Sequence, residues 1–178
     1  RSITSADDTS ARQLVQRLDG LALALEQAGA YISRLHLSFP QYLERLATNA
    51  AQVHSWNDAT QMDYPKSVAE TWLTTFQQLQ PTERDLLHTL VWFDAQPIPL
   101  WLLEPEEEGS DSKGNEFKKR STRELLATLA DWHFVTFSDD GLSLKVHRLV
   151  QEVTLLHLVE EDSRTRAFTQ AIQWLNQA

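Results

Sequence analysis

The sequence has 178 residues, enough for one ordinary domain or two small ones, and 42% of them are apolar, which excludes a disordered acidic tail. It contains no cysteine, so disulfides and thiolate metal sites are excluded and a reducing, cytoplasmic compartment is expected. The net charge of −9 disfavours nucleic-acid binding, and no apolar run is long enough to cross a bilayer, so neither nucleic acid nor membrane is expected as a partner.

Three helices are predicted at the start of the chain. Asp8 or Thr9 can cap the first of them, whose apolar positions recur at helical spacing. Gly20 is expected to end it, because glycine readily adopts the conformation that closes a helix. The second helix, over residues 21–35, is apolar nearly all round at its start, which indicates burial on several sides. Residues 1–50 are therefore predicted to form a small helical domain.

Residues 51–65 are polar, show no sustained periodicity and are predicted to be a linker. A winged-helix domain is predicted over residues 66–160, because three helices followed by a β-hairpin is the order of elements in that fold. One of its helices begins at Pro81, with Thr82 and Asp85 at the spacing of a capping box. The turn of the hairpin is predicted at Asp-Asp-Gly, residues 139–141.

The rest of the chain completes a mainly α fold: a small helical bundle, then a winged-helix domain, then C-terminal helices. Dense charge predicts a mobile insertion over residues 105–120. Residues 161–178 are predicted to form a helix that leads into a further domain.

No catalytic constellation is found. Gly109 and Gly114 have P-loop spacing, but the Lys and Ser/Thr that must follow are absent. The six His show no zinc-binding spacing. Ser143 and His147 would lie on one strand roughly 13 Å apart, too far for a nucleophile and its base. The chain is therefore predicted not to be an enzyme, with no catalytic residue, no metal site and no cofactor of its own.

Three segments resemble, in the same order, parts of NB-ARC proteins, which belong to the STAND class of signalling ATPases. GLALALEQAGAYI, residues 20–32, resembles the Gly-Leu-Pro-Leu-Ala-Leu motif of the helical domain that follows the nucleotide-binding core. Residues 64–103 look like the opening of the winged-helix domain. VHRLVQEV, residues 146–153, is similar to the segment that closes this domain in members carrying tetratricopeptide repeats.

The resemblance implies a regulatory role in innate-immune signal transduction, as part of a longer protein. The two domains would pack on the nucleotide-binding core and hold a closed, ADP-bound state, with the C-terminal repeats and, on activation, other protomers as further partners. ADP or ATP with Mg²⁺ would be the cofactor of that longer protein. His147 would contact the β-phosphate, and Gly20, Leu21 and Ala22 would form the turn beside the adenine. Ala22 stands where the family has Pro, and Arg148 stands where many members have Asp.

Other interpretations remain open at this point. Taken without the surrounding motif, His147 fits a partly buried His that closes the hairpin onto the next helix. A DNA-binding winged helix would place residues 122–132 in the major groove, where Arg123 is the one cation and Glu124 and Asp131 oppose it. An adaptor for other proteins would use large aromatic anchors, if they are exposed. The candidates are Trp72, Trp92, Trp101, Trp132 and Trp174.

The isolated chain is predicted neither to hydrolyse nor to bind ATP or ADP tightly, because it lacks the loop that cradles phosphates and the Mg²⁺ ligands that accompany it. Isothermal titration calorimetry of the chain with each nucleotide measures this directly. Sub-micromolar affinity would show that a phosphate site exists within these residues.

Overall fold

The computed structural model describes residues 5–56, 66–94, 96–103, 121–157 and 161–176. In these ranges the protein is mainly helical and has a small antiparallel sheet, which confirms the predicted fold class. None of the helices in the described ranges combines the length and the apolar character that a membrane span requires. The elements are α1 (Ser5–Arg17), α2 (Ala22–Arg34), α3 (Phe39–Trp56), α4 (Lys66–Phe76), α5 (Pro81–Leu90), β1 (Ile98–Pro99), α6 (Leu100–Leu103), α7 (Thr122–Asp131), β2 (Val135–Phe137), β3 (Ser143–Val146), α8 (Arg148–His157) and α9 (Glu161–Asn176).

The chain divides into two compact units, Arg1–Leu79 and Gln80–Ala178. This division differs from the predicted boundary at residue 66, because α4 packs against α2 and α3. Every residue from 67 to 75 is buried, so α4 is enclosed on all sides, whereas the apolar stripe in its sequence describes one face only. The predicted linker also differs: residues 51–56 belong to α3, and residues 57–65 lie outside the described part of the chain.

In the first unit, α1 begins at Ser5, so the predicted cap at Asp8 or Thr9 is wrong. Asp8 lies inside the helix, where its carboxylate accepts a hydrogen bond from Arg12 Nε at 3.1 Å. This is an exposed pair one helical turn apart, of a kind that contributes only a few tenths of a kcal/mol.

An ion pair joins the end of α1 to α4. Arg17 Nη2 lies 3.0 Å from Glu70 Oε1 and 2.9 Å from Oε2. The Glu70 side chain is 1% exposed, whereas the Arg17 side chain is 42% exposed and keeps much of its hydration. Burial raises the pKa of the Glu70 carboxyl above its ordinary value, although the charges of Arg17 and Lys66 oppose that rise. The carboxylate therefore loses more by desolvation than it gains from its cationic neighbours.

The second unit contains the winged-helix order of elements. Helix α5 is followed by β1, α6, α7 and the hairpin of β2 and β3. The sheet order is β1-β3-β2, with Val135 opposite Val146 and Ile98 opposite Leu144. Strand β1 was not predicted from the sequence. It was missed because it has two residues, one of them a proline that cannot donate to the ladder.

The hairpin turn forms at the predicted Asp-Asp-Gly. Gly141 has a φ of +67°, which an L-residue rarely adopts, and its N–H donates to the Ser138 carbonyl at 2.9 Å. The Asp140 carboxylate accepts hydrogen bonds from the Ser138 hydroxyl and from the Leu142 N–H. These bonds lower the pKa of the Asp140 carboxyl group and favour its charged form.

The predicted capping box at Thr82 and Asp85 is wrong. Pro81 is the first residue of α5, so the residue before it, Gln80, is the cap. The Glu83 carboxylate accepts a hydrogen bond from the Gln80 N–H at 2.8 Å. The predicted insertion at residues 105–120 lies outside the described residues.

Replacing Glu70 by Gln should raise the free energy of unfolding at pH 7, because it removes a carboxylate whose charged form is disfavoured by burial. Because the pKa of Glu70 is raised in the folded state, the folded chain binds this proton more readily than the unfolded chain. Stability is then lost as the pH rises through the raised pKa, and Glu70→Gln removes that loss. Urea denaturation between about pH 4 and pH 7 should show the two proteins converging at the acid end.

The matched control is Arg17→Gln, which keeps the buried carboxylate and removes its partner; it should destabilise the protein at pH 7. A Glu70→Gln protein clearly less stable than wild type at neutral pH would show that ion pairing outweighs desolvation.

Candidate functional site

The turn between α1 and α2 contains two of the three residues predicted to lie beside an adenine. Asp19 and Gly20 have positive φ values of 54° and 66°. The Gly20 N–H donates to the Val15 carbonyl, and the Leu21 N–H donates to the Leu18 carbonyl, each at 3.0 Å. This pattern closes α1 and reverses the chain. A Cβ on Gly20 would meet nothing within 4 Å, so glycine is favoured here by its backbone angle and not by lack of space.

Ala22, the third of these residues, is the first residue of α2 and is exposed. Leu21 precedes it in an extended conformation, with φ −69° and ψ 122°, and supplies no side-chain cap. A proline is tolerated at the first position of a helix, and an extended residue suits the position before it. The backbone is therefore compatible with the Pro found in the NB-ARC motif, although this chain has Ala.

His147 lies between β3 and α8 and is exposed, whereas the alternative interpretation of this residue expected it to be partly buried. Its Nδ1 accepts a hydrogen bond from the Leu149 backbone N–H at 3.2 Å. Its carbonyl accepts from the Gln151 N–H at 3.0 Å. The imidazole thus caps α8, a role usually filled by the side chain of Ser, Thr, Asp or Asn.

The cap determines the proton position on the ring. An acceptor nitrogen carries no proton, so the neutral imidazole that caps α8 has its proton on Nε2. The next residue, Arg148, is exposed and its Nε donates to Glu152 Oε1 at 2.9 Å. This corner therefore presents one N–H donor on His147 beside a guanidinium that is already paired. His147 belongs to the second unit, and Gly20, Leu21 and Ala22 belong to the first.

A polar cleft lies beside the α1–α2 turn and was not predicted from the sequence. The cleft has a volume of about 470 Å³. Its lining residues carry charges of both signs or uncharged polar groups: Gln13, Gln16, Arg17, Asp19, Lys66, Ser67 and Glu70. The cleft brings residues 13–19 together with residues 66–70, more than 45 positions along the chain. No local sequence pattern predicts contacts between residues that far apart. Within the described ranges, no three His, Asp or Glu side chains cluster as a metal site.

Ala22→Pro should leave the fold intact and raise the free energy of unfolding by up to about 1 kcal/mol, because it restricts the unfolded chain at a compatible position. The matched control is Ala30→Pro in the interior of α2, where proline removes a helical hydrogen bond and should cost about 3 kcal/mol. Urea denaturation of both variants measures the difference. A loss of stability in Ala22→Pro comparable to that in Ala30→Pro would show that Ala22 does not begin the helix.

Comparison with known proteins gives one family and one curated relative. The chain is 27% identical over 156 residues to a nucleotide-binding leucine-rich repeat (NLR)-like protein of Hyaloscypha variabilis. The match covers 81% of the chain but only 15% of that protein's length. No solved structure matches the chain significantly.

The family match covers residues 74–163, which include α5 to α8 and the whole sheet. The NLR-like relative agrees with the coarser part of the predicted resemblance, a distant relationship to NLR-type signalling proteins. Since the family match spans half of the sequence, the chain belongs to the family described as a domain of unknown function, DUF7779.

Proposed function

We propose that this chain is the regulatory helical and winged-helix portion of a STAND-type, nucleotide-switched signalling ATPase. In the longer protein it packs on the nucleotide-binding core and holds a closed, ADP-bound state. The name of the relative, nucleotide-binding leucine-rich repeat (NLR)-like protein, supports this proposal. The order of helices, strands and hairpin in the second unit supports it as well.

The main support for this proposal is the orientation of the His147 imidazole ring. The hydrogen bond from the Leu149 N–H holds Nδ1, which leaves Nε2–H as the donor of an exposed ring. A phosphate oxygen is a strong acceptor, and a hydrogen bond to an anion is stronger than one between neutral groups. In this proposal, the donor meets the β-phosphate of ADP, while Gly20, Leu21 and Ala22 provide the adenine side.

The effect on the switch follows from differential affinity. A contact made only in the closed state shifts the equilibrium toward that state by its own free energy. For a hydrogen bond to a charged group, this is about 1.5–3 kcal/mol, or roughly a tenfold change or more. ADP with Mg²⁺ would supply the phosphate charge that favours the closed state, and His147 would donate a hydrogen bond to that phosphate.

In the longer protein, His147→Ala should accelerate ADP dissociation about tenfold or more and favour the open, assembled state. His147→Asn is the matched variant, because asparagine caps helices well but does not carry an N–H where Nε2 lies. It should release ADP about as fast as His147→Ala while keeping the thermal stability of wild type. Stopped-flow release of a fluorescent ADP analogue, with parallel thermal melts, separates the two roles.

A purely structural role for His147 predicts the opposite pattern. In that case, ADP release is unchanged in both variants, while the melting temperature falls for His147→Ala and recovers for His147→Asn. That result would overturn the proposed phosphate contact.

A second function, an adaptor module without nucleotide contact, is favoured by one observation. Trp101 on α6 is 62% exposed, whereas Trp72 and Trp132 are buried in the two cores. A large exposed aromatic side chain is a frequent anchor in protein interfaces. The two functions differ in nucleotide dependence, because an adaptor would bind its partner equally well with and without ADP.

A further inference from the structure

The polar cleft beside the α1–α2 turn lies wholly within the first unit and carries balanced charge. Its two cations are Arg17 and Lys66, and its two carboxylates are Asp19 and Glu70. None of its seven lining residues is apolar, so the cleft does not suit an apolar ligand. Its volume of about 470 Å³ is nevertheless in the range of clefts that enclose small molecules. The lining therefore favours a small ligand with polar groups.

The hydroxyl of Ser67 is a buried group in this lining that lacks a partner. The residue is only 3% exposed, and its Oγ has no hydrogen-bond partner among the residues that the structure describes. A buried hydroxyl without a partner costs free energy, and a bound molecule that offers a polar atom would recover that cost. Ser67 thus marks the place in the cleft where a ligand atom is expected.

The surroundings of Ser67 suit a carboxylate. Lys66 and Ser67 are the first two residues of α4, where the helix dipole favours negative charge. Arg17 contacts both oxygens of Glu70 through Nη2 alone, which leaves its Nε and Nη1 without a hydrogen-bond partner in the described ranges. A carboxylate has two acceptor oxygens, so it can accept from the Ser67 hydroxyl and from the guanidinium together.

Asp19 provides the complementary environment, one that suits an ammonium group. It is exposed, and within the described ranges its carboxylate has no ion-pair partner. The side-chain carbonyl oxygens of Gln13 and Gln16 are further acceptors in the lining. An ammonium group has three donors, so it can bond to the carboxylate and to these amides.

A ligand with only one sign of charge fits the cleft less well. An anion alone would lie beside the carboxylates of Asp19 and Glu70, and a cation alone beside Arg17 and Lys66. A zwitterion leaves the charge balance unchanged and places each of its charges beside one of opposite sign. An uncharged polar side chain preserves that balance and can bond to the amides of the lining.

We propose that this cleft binds a free α-amino acid with an uncharged polar side chain. Its carboxylate lies at Ser67 and Arg17, and its ammonium group lies at Asp19. The site is contained in this chain and does not depend on the nucleotide contact of His147, so the isolated chain is sufficient to test it.

Isothermal titration calorimetry of the chain with L-serine, L-threonine, L-asparagine and L-glutamine tests the ligand class. At least one should bind, and L-leucine should bind at least about tenfold more weakly than that one, because its side chain cannot bond to the polar lining. The matching amine without the carboxylate, and the matching acid without the amino group, should each lose about tenfold or more. Equal binding of that acid or of inorganic phosphate, or no binding of any of the four at about 10 mM, would overturn the proposal.

Ser67→Ala should weaken binding of the amino acid about tenfold, because it removes a hydrogen bond to a carboxylate. The melting temperature without ligand should stay the same or rise, since the hydroxyl has no partner in the described part of the chain. A structural role of Ser67 predicts the reverse, a lower melting temperature with unchanged affinity, and that result would contradict the proposal.

Asp19→Asn tests the ammonium end and should also weaken binding about tenfold. Asparagine tolerates the positive φ of 54° at this position, so the turn should be preserved. The matched control is Asp8→Asn, which removes the same charge from α1 at a position outside the cleft and should leave the affinity unchanged. Equal losses in the two variants would show a general effect of charge and would overturn the proposed contact.

Discussion

The corner between β3 and α8 depends on one hydrogen bond, from the Leu149 N–H to Nδ1 of His147. The first N–H groups of a helix have no partner within it, and here an imidazole satisfies one of them. The bond orients the ring and selects the tautomer of the neutral imidazole, because the acceptor nitrogen carries no proton. On either side, Val146 and Val150 are buried and hold the strand and the helix in the core. The residue that caps α8 thus also presents an oriented N–H donor on the surface.

In the first unit, polar groups lie within the core. Glu70 is buried beside Arg17, and the hydroxyl of the fully buried Tyr42 has no hydrogen-bond partner among the residues that the structure describes. Burial, more than the neighbouring Tyr31 and Glu70, raises the pKa of Tyr42. Unpaired polar atoms of this kind cost free energy, so this unit is not packed for greatest stability. A unit proposed to change its contacts with the nucleotide state is consistent with a marginal core of this kind.

Local features were predicted well from the sequence, and contacts between distant segments were not. Helical spacing located most helices, and Asp-Asp-Gly located the hairpin turn at Gly141. The cap of α5 was misplaced because the cap precedes the first helical residue, Pro81, and is therefore Gln80, two residues before Thr82. The Arg17–Glu70 pair joins residues 53 positions apart, and nothing in a local pattern connects them. The exposed donor on His147 depends on a backbone contact at Leu149, which only coordinates reveal.

The central claim is that the α8 cap orients His147 so that its Nε2–H donates a hydrogen bond to the β-phosphate of ADP. Nitrogen-15 NMR of the imidazole in the longer protein bound to ADP tests this claim. We expect the imidazole proton on Nε2, with a coupling across the hydrogen bond from Nε2 to the β-phosphorus of ADP. Nδ1 should remain the acceptor of the hydrogen bond from the Leu149 N–H. A ring protonated at Nδ1, or an Nε2–H without coupling to the β-phosphorus, would contradict it.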